Sequence, residues 1–462
     1  MKNASFTKTI TMNKLILIGS VVLSAFSMNS NAQQWEWGKR GGSPTPATNN
    51  VEETVYDIAT DKWGNIYTAA RAYTTGMNVG GNNLNGYGGV DIVLSSFACD
   101  GTYRWSKVIG SALSDGPAPS IKCDTLGGIY ATFSMVLAGQ MGNVDTDTTL
   151  TSNYKRLYLV KYDTAGTYQW LRTPQDTSTL SSNLTTPIDM DVDGGGNIFM
   201  FCYLYPGSYG NSSYIVNDTG EHILRYNSQG TLVQGIPLQM EITESKLNYV
   251  MMKRNHLTGR YYFTGSASNL LGGSVILNGN QVNNPMYITS FNAQGQYLWK
   301  RENINQYAWG FRGRPVVDDS GNVYVCGASW HNDTFMTYHV VNTLMTAGGD
   351  QPFIAKLDSN GNLKWAKAGS ADGATNGYSI AMRNNNEVVM VGSYPGKVQW
   401  PGYAGPHPNH GNNQNSDVFI TSFNSHTGAV NDVDTLGGVF GGFDEPTCIV
   451  ADRNNNVYLG GR

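Results

Sequence analysis

Few side chains in this 462-residue chain have the types and spacing that chemistry requires. Carboxylates alternate along Asp189-Met-Asp-Val-Asp-Gly194, as they do at the start of a calcium loop, where hard oxygen ligands on alternate residues turn toward one cation. Position twelve of such a loop falls on Met200, where a bidentate glutamate belongs. The expectation is a tight turn at Asp193, with Ca²⁺ as the alternative. His407-Pro-Asn-His410 offers two imidazoles, but the proline opposes the helix that paired-histidine zinc motifs use, and no third ligand lies nearby in sequence. An exposed loop is expected there. The seven histidines form no Ser/His/Asp arrangement, and no glycine-rich phosphate loop joins a strand to a helix. No catalytic residue is assigned.

Two looser sets remain. Asp115, Asp372 and Asp444 stand at like places ahead of an apolar strand, with Glu53 in a comparable position. A ring of carboxylates could hold a cation; capping of the loop–strand junction by the same side chains is the alternative. Trp309, Trp330, Trp400 and Tyr403 lie in or beside glycine- and asparagine-rich linkers. Exposed aromatic faces there would suit sugar rings or a protein partner, and aromatics that cover a sheet edge would look the same in sequence.

The elements that must position these groups are copies of one segment. Its clearest form is Phe353-Ile-Ala-Lys-Leu-Asp-Ser-Asn-Gly-Asn-Leu-Lys-Trp-Ala-Lys367: an apolar strand, a turn, and a return strand that reaches a tryptophan. The turn glycines recur at Gly101, Gly166, Gly230, Gly295, Gly361 and Gly428, at intervals of 65, 64, 65, 66 and 67 residues. Trp105, Trp170, Trp299 and Trp365 follow four residues after the glycine in four copies. A second hairpin alternates with the first, as in Val316-Val-Asp-Asp-Ser-Gly-Asn-Val-Tyr-Val-Cys-Gly327, where Asp and Asn cap the turn and glycine supplies its positive φ. Each unit thus holds four strands, A to D, with hairpins at A–B and C–D, long B–C linkers that add short edge strands, and shorter D–A linkers. No window has sustained helical periodicity.

A lone four-stranded sheet cannot cover both of its faces, whereas stacked units that close into a ring can. The fold class expected is therefore all-β: a β-propeller of seven blades, with residues 33–462 as one domain. Six units are complete. The seventh is shared between the termini, because Trp37-Gly-Lys39 resembles strand D alone and Pro446 to Arg462 resemble A and B alone. Its strand C is found nowhere in the chain, so the blade is expected to be incomplete and the natural product to continue. Residues 1–32 read as a signal peptide: Lys14, an apolar run from Leu15 to Phe26 too short to span a bilayer, and small residues Ser30-Asn31-Ala32 before Gln33. Met12 would open a tidier signal than Met1.

Charged residues make up 14% of the chain and the net charge is -4. That balance leaves no basic stripe for nucleic acid. Five cysteines, an odd number without a CxxC pair, read mainly as small buried apolar residues. Across the units the pattern D-x-F-[IV]-x-K-[LF]-D-x-x-G-x-x-x-W-x-K, followed by D-x-x-G-N-[VI]-Y-V-x-G, resembles the SBBP-type β-propeller repeats of exported bacterial proteins, particularly those of Bacteroidetes. The resemblance implies a propeller, an extracytoplasmic location and, in many members, type IX secretion. It implies no activity. Leu357 to Trp365 also look like the tryptophan-docking repeat of quinoprotein dehydrogenases, but no vicinal cysteine pair for their cofactor is present. The functional expectation is a non-catalytic module at the cell surface or outside the cell, binding a protein or glycan. The alternatives are an enzyme with a metal- or cofactor-dependent site in the central channel, and a structural spacer.

Overall fold

A computed structural model describes residues 7–11, 34–42, 53–73, 76–116, 119–137, 141–151, 155–175, 186–247, 249–267, 272–304, 310–344, 349–409, 416–437 and 444–462. The chain is a β-propeller. Seven antiparallel sheets follow one another, each built on four strands in the order A-B-C-D; five are four-stranded, that of blade 1 gains two linker strands from blade 2, and that of blade 5 has its innermost strand in two pieces. The innermost strands neighbour each other in sequence order: Thr54–Thr60, Ser120–Cys123, Thr186–Val192, Met251–Arg254, Val316–Val317, Asn376–Arg383 and Pro446–Ala451. The last of these lies against the first, so the ring is closed. Among the described residues the helical content is one turn, Glu244–Leu247.

Blade 6 shows how the repeat folds. Strands Asn376–Arg383, Glu387–Tyr394, Asp417–Asn424 and Val430–Leu436 pair in that order. Strand B is buried along its whole length, because it faces a neighbouring blade on both sides. The A–B turns keep their aspartates for local work. Asp318 Oδ1 accepts from Ser320 N–H and Asn322 N–H, and its Oδ2 accepts from the Tyr324 hydroxyl two strand positions on. Asp61, Asp124 and Asp452 repeat the arrangement with Tyr67, Tyr130 and Tyr458.

The tryptophans link blades. Trp365 Nε1 donates to Ser425 O at 3.1 Å, and its ring lies where a Cβ on Gly428 would stand. Gly428 has φ +70°, so it serves both the turn and the close approach. Trp37, Trp105, Trp170 and Trp299 meet Gly101, Gly166, Gly230 and Gly361 in the same way. Where strand D lacks a tryptophan, in blade 3, Ile236 and Pro237 fill the space beside Gly295. A second link runs along the rim. The end of strand D, or the residues just after it, pairs with the B–C linker of the next blade. Tyr103–Ser111 pairs Met141–Val144, Met240–Ile242 pairs Val275–Leu277, and Ser370–Ala371 pairs Lys397–Gln399.

Blade 7 departs from the sequence expectation. Its strand C is present. Thr7–Thr11 lies antiparallel to both Val457–Gly461 and Gln34–Lys39, so the order is Pro446–Ala451, Val457–Gly461, Thr7–Thr11, Gln34–Lys39. Strands B and D of a blade run parallel, so only a segment antiparallel to both can fill the place between them. A search for the repeat's turn glycine does not find this strand, because 22 residues separate Thr11 from Gln34 in sequence, far more than the C–D turn of the other units.

Candidate functional site

The inner strands carry charge toward the axis. Asp57 lies on strand A of blade 1, Lys122 on that of blade 2, and Asp189 and Asp191 on that of blade 3. In blade 5 the innermost position is split: Gly310–Phe311 and Val316–Val317 both pair with Val323–Trp330, and Arg314 stands in the gap. From there its guanidinium crosses the channel. Nη1 is 3.0 Å from Asp57 Oδ1, Nε is 3.0 Å from Asp189 Oδ2, and Nη2 meets Asp189 Oδ1. Lys122 Nζ and the Ser120 hydroxyl complete the shell of Asp57. Next along the axis, Lys253 Nζ is 3.0 Å and His256 Nε2 3.4 Å from Asp191. Burial alone would raise the Asp57 carboxyl, but Arg314 and Lys122 outweigh it and hold the group well below the usual carboxylate range. Asp191 is likewise pushed up by burial but held low by Lys253 and His256. At this level the charges of the inner strands compensate one another across blades.

The rim is built differently. Between blades 3 and 4 lies an open groove of about 560 Å³, within the range of small-ligand sites. Its walls are the hairpin strand Tyr214–Val216, the start of strand C in blade 3 (Gly220–Tyr226), the residues around Met240–Ile242, and the Val275–Leu277 hairpin of blade 4. Glu221 and His222 enter from strand C. Glu221 is 2% exposed. One carboxyl oxygen accepts from Ile242 N–H at 2.7 Å, and Oε2 has no partner among the described residues. Burial pushes the carboxyl up to about 8, against a partial offset from the Ile242 N–H. His222 Nδ1 is 2.8 Å from the Tyr214 hydroxyl, and burial drives the imidazole down to about 4, so it is neutral at neutral pH. Asp218 and Glu241 also line the groove; no lysine or arginine does.

The residues singled out in sequence are dispersed. Asp115 is buried and accepts from Ser111 N–H at 2.6 Å. Its charge adds to burial in raising Asp91 to about 7. Asp372 accepts from Lys397 N–H, and Asp444 N–H donates to Ser416 O. Each closes a linker of its own neighbourhood, and among the described residues no three His, Cys, Asp or Glu side chains group as a metal site. Asp193 accepts from Gly195 and Asn197 N–H as a turn residue, while Asp189 and Asp191 turn to the axis. Trp400 corrects the expectation of an exposed aromatic face: it is 1% exposed, with its ring against Phe419 and Phe423 at 6.0 and 4.9 Å. The linker strand Lys397–Gln399 folds back onto blade 6 and carries the indole inward. Trp330 is partly buried at the end of strand B of blade 5. Tyr403 donates to Asp432 and stacks on His407. Trp309 and His410 lie outside the described residues. Arg314, Glu221 and His222 were not singled out in sequence. Glu221 does occupy the acidic position that opens strand C in the repeat, as do Asp91, Asp350 and Asp417.

No family model matches the chain, and no curated protein does. Among solved structures it is similar to the Pan2 WD40 domain of Neurospora crassa, at 12% identity and TM-score 0.44, over 90% of this chain and 92% of that one. It is similar to BamB from Moraxella catarrhalis at 11% identity and TM-score 0.35, over 89% and 99%. A polysaccharide lyase, an ulvan lyase, is similar at 9% identity and TM-score 0.41, over 89% and 94%. These likenesses concern the fold alone. No helix among the described residues is long and apolar enough to cross a membrane.

Proposed function

We propose that this chain is an exported, non-catalytic binding module of the SBBP type, which takes a protein or glycan at its rim, in the groove between blades 3 and 4. One contrast carries the reading. The charges at the axis pair with one another across blades 1, 2, 3 and 5, whereas the groove is open and lined by polar side chains such as Tyr214, Asp218 and Glu241. Linker segments on a rigid scaffold are where binding groups are commonly placed. The test is a glycan and peptide array probed with the secreted protein. Binding lost in Tyr214→Ala and Asp218→Asn but kept in Trp330→Ala is the expected result. Binding lost only in Trp330→Ala would move the site, and silence across the array would favour a spacer. A second reading, an enzyme, draws on the neutral carboxyl and neutral imidazole in one groove, a pairing that acid–base chemistry uses. Turnover of an array ligand would select it.

Export bears on blade 7. Cleavage before Gln33 would remove Thr7–Thr11 and leave Val457–Gly461 and Gln34–Lys39 on either side of an open place. The leader and the strand exclude each other in one molecule. N-terminal sequencing of purified protein decides between them: Gln33 selects the leader, and an N-terminus upstream of Thr7 selects the strand.

A further inference from the structure

Thr7–Thr11 is a poor copy of strand C. Its register puts Thr9 opposite Tyr458 and Lys8 opposite Leu459. In the other blades Tyr67, Tyr130, Phe199, Tyr262, Tyr324 and Val389 hold the Tyr458 position, so the seven strands C align residue by residue. Where the leader has Lys8, the other six carry small or apolar residues, from Ser95 to Thr421, all buried. Where it has Thr7, all six carry leucine or isoleucine: Leu94, Leu159, Ile223, Ile288, Ile354 and Ile420. The packing shows the same mismatch. Leu94 of blade 1 joins a core with Ala131, Phe133 and Val160 of blade 2. The counterparts of those three on blade 1 are Thr68, Ala70 and Ser95. They line a cavity of about 40 Å³, bounded on the blade 7 side by Lys39 to Gly42 at the end of strand D. Small residues on blade 1 thus face the position at which the repeat puts leucine or isoleucine.

We propose, resting on the export reading, that in the mature protein the strand C place of blade 7 receives an extended segment of a separate polypeptide. The segment lies antiparallel to both walls. It carries leucine or isoleucine where the cavity is, with a small or apolar residue next to it. The walls keep their places once the leader leaves. Trp37 Nε1 donates to Cys99 O at 2.9 Å, and its ring lies 6.1 Å from that of Tyr458 and 6.4 Å from that of Phe97. Strand D is thereby tied to strand B and to blade 1 by its own side chain. The two facing edges then present backbone N–H and C=O groups with no strand between them. The six strands C within residues 33–462 each serve their own blade, so the occupant comes from elsewhere. An added strand draws affinity from main-chain hydrogen bonds and selectivity from its alternate side chains. Leucine or isoleucine at the cavity buries apolar area, whereas a lysine beside it would bury a charge.

The experiment uses the full chain, secreted and sequenced at its N-terminus, and a fluorescent peptide copied from strand C of blade 6, Asp417–Asn424. Anisotropy is expected to show one peptide bound per chain whose first residue is Gln33. Binding should be about tenfold weaker when the peptide carries Ile420→Lys or Thr421→Lys, since each buries a charge. Ala70→Leu in the protein fills the cavity. It should weaken the parent peptide more than the Ile420→Ala peptide, a reversal that a loose contact along an open edge would not give. Equal binding of the parent and lysine peptides overturns the proposal, and so does a chain that begins at Gln33 and binds neither. An N-terminus upstream of Thr7 overturns the export reading and the proposal together, so the two failures differ. A peptide-free dimer that the peptide dissociates would put a second copy in the place and overturn the separate partner. If the cleaved chain aggregates alone, it is refolded with and without the peptide. A soluble one-to-one complex only with the peptide supports the proposal, and aggregation in both overturns it.

Discussion

Asp57 at the axis and Glu221 at the rim are both almost wholly buried carboxyls on a propeller strand, yet they titrate in opposite directions. Burial penalises the charge of each. At Asp57, two cations from other blades reverse that penalty. At Glu221 no cation faces the group, and the penalty stands. The difference lies in the neighbours, not in the residue type or the depth. A carboxyl compensated within the fold cross-links blades. A carboxyl left uncompensated costs stability once it ionises.

The sharpest way to break the comparison is to give the axis what the rim has. Arg314→Met keeps much of the stem but removes the charge from between Asp57 and Asp189. Breaking a buried pair on one side costs about 3–5 kcal/mol. The Arg314 side chain keeps 24% exposure and Lys122 remains on Asp57, so about 3 kcal/mol is expected at pH 7, read as a fall in unfolding free energy by denaturant titration. The sign with pH follows from the lowered Asp57. Its stabilising contribution is present above the ordinary 3.8 and is lost as pH falls further. The gap between variant and wild type should therefore narrow in acid. A variant as stable as wild type at pH 7 would mean that the axis is no staple.

How much of this was legible in the sequence differs between the two regions for a physical reason. The glycine turns, the Asp–Tyr pairs and the tryptophans act within about one repeat length, so their period exposes them. Trp365 and Gly428 are 63 residues apart in the chain and meet because each blade stacks on the next. Arg314 reaches partners 125 and 257 residues away, and it does so from a break in strand A that no other unit shows among the described residues. Nothing local marks it. Glu221 had a partial signal, since the acidic residue that opens strand C belongs to the repeat. Its burial depends on the Met240–Ile242 segment, whose Ile242 N–H it accepts, and sequence spacing does not specify that contact. Strand C of blade 7 was missed because the repeat spacing ties C to D through a short turn, and 22 residues separate Thr11 from Gln34.

The middle test gives the rim what the axis has: a group that does not ionise. Folded Glu221 titrates at about 8 and an ordinary glutamate at 4.5. The folded state therefore holds the proton more tightly, and its contribution is fully present below pH 4.5 and lost as pH rises to about 8. Glu221→Gln removes this dependence. The expected outcome is a variant that gains on wild type by roughly 1–3 kcal/mol between pH 4.5 and 8.5, whatever their offset at the acid end. Parallel stability curves across that range would show that Glu221 ionises without penalty, and the contrast with Asp57 would vanish.

The smallest effect should come from the member of the axial network that most resembles a surface pair. Lys253 keeps 27% side-chain exposure, and its partner Asp191 also accepts from Arg254 N–H at 3.0 Å and lies near His256. Lys253→Met therefore leaves Asp191 with the Arg254 N–H bond and the His256 contact, and it removes one charge from one partner, whereas Arg314→Met removes a charge shared by two. A cost of about 1 kcal/mol or less is expected, measured as the difference in denaturation midpoint. It should shrink further in 1 M salt, where the screening length falls to about 3 Å. A salt-insensitive loss as large as that of Arg314→Met would place Lys253 in the same staple and extend the closed axis by a full layer.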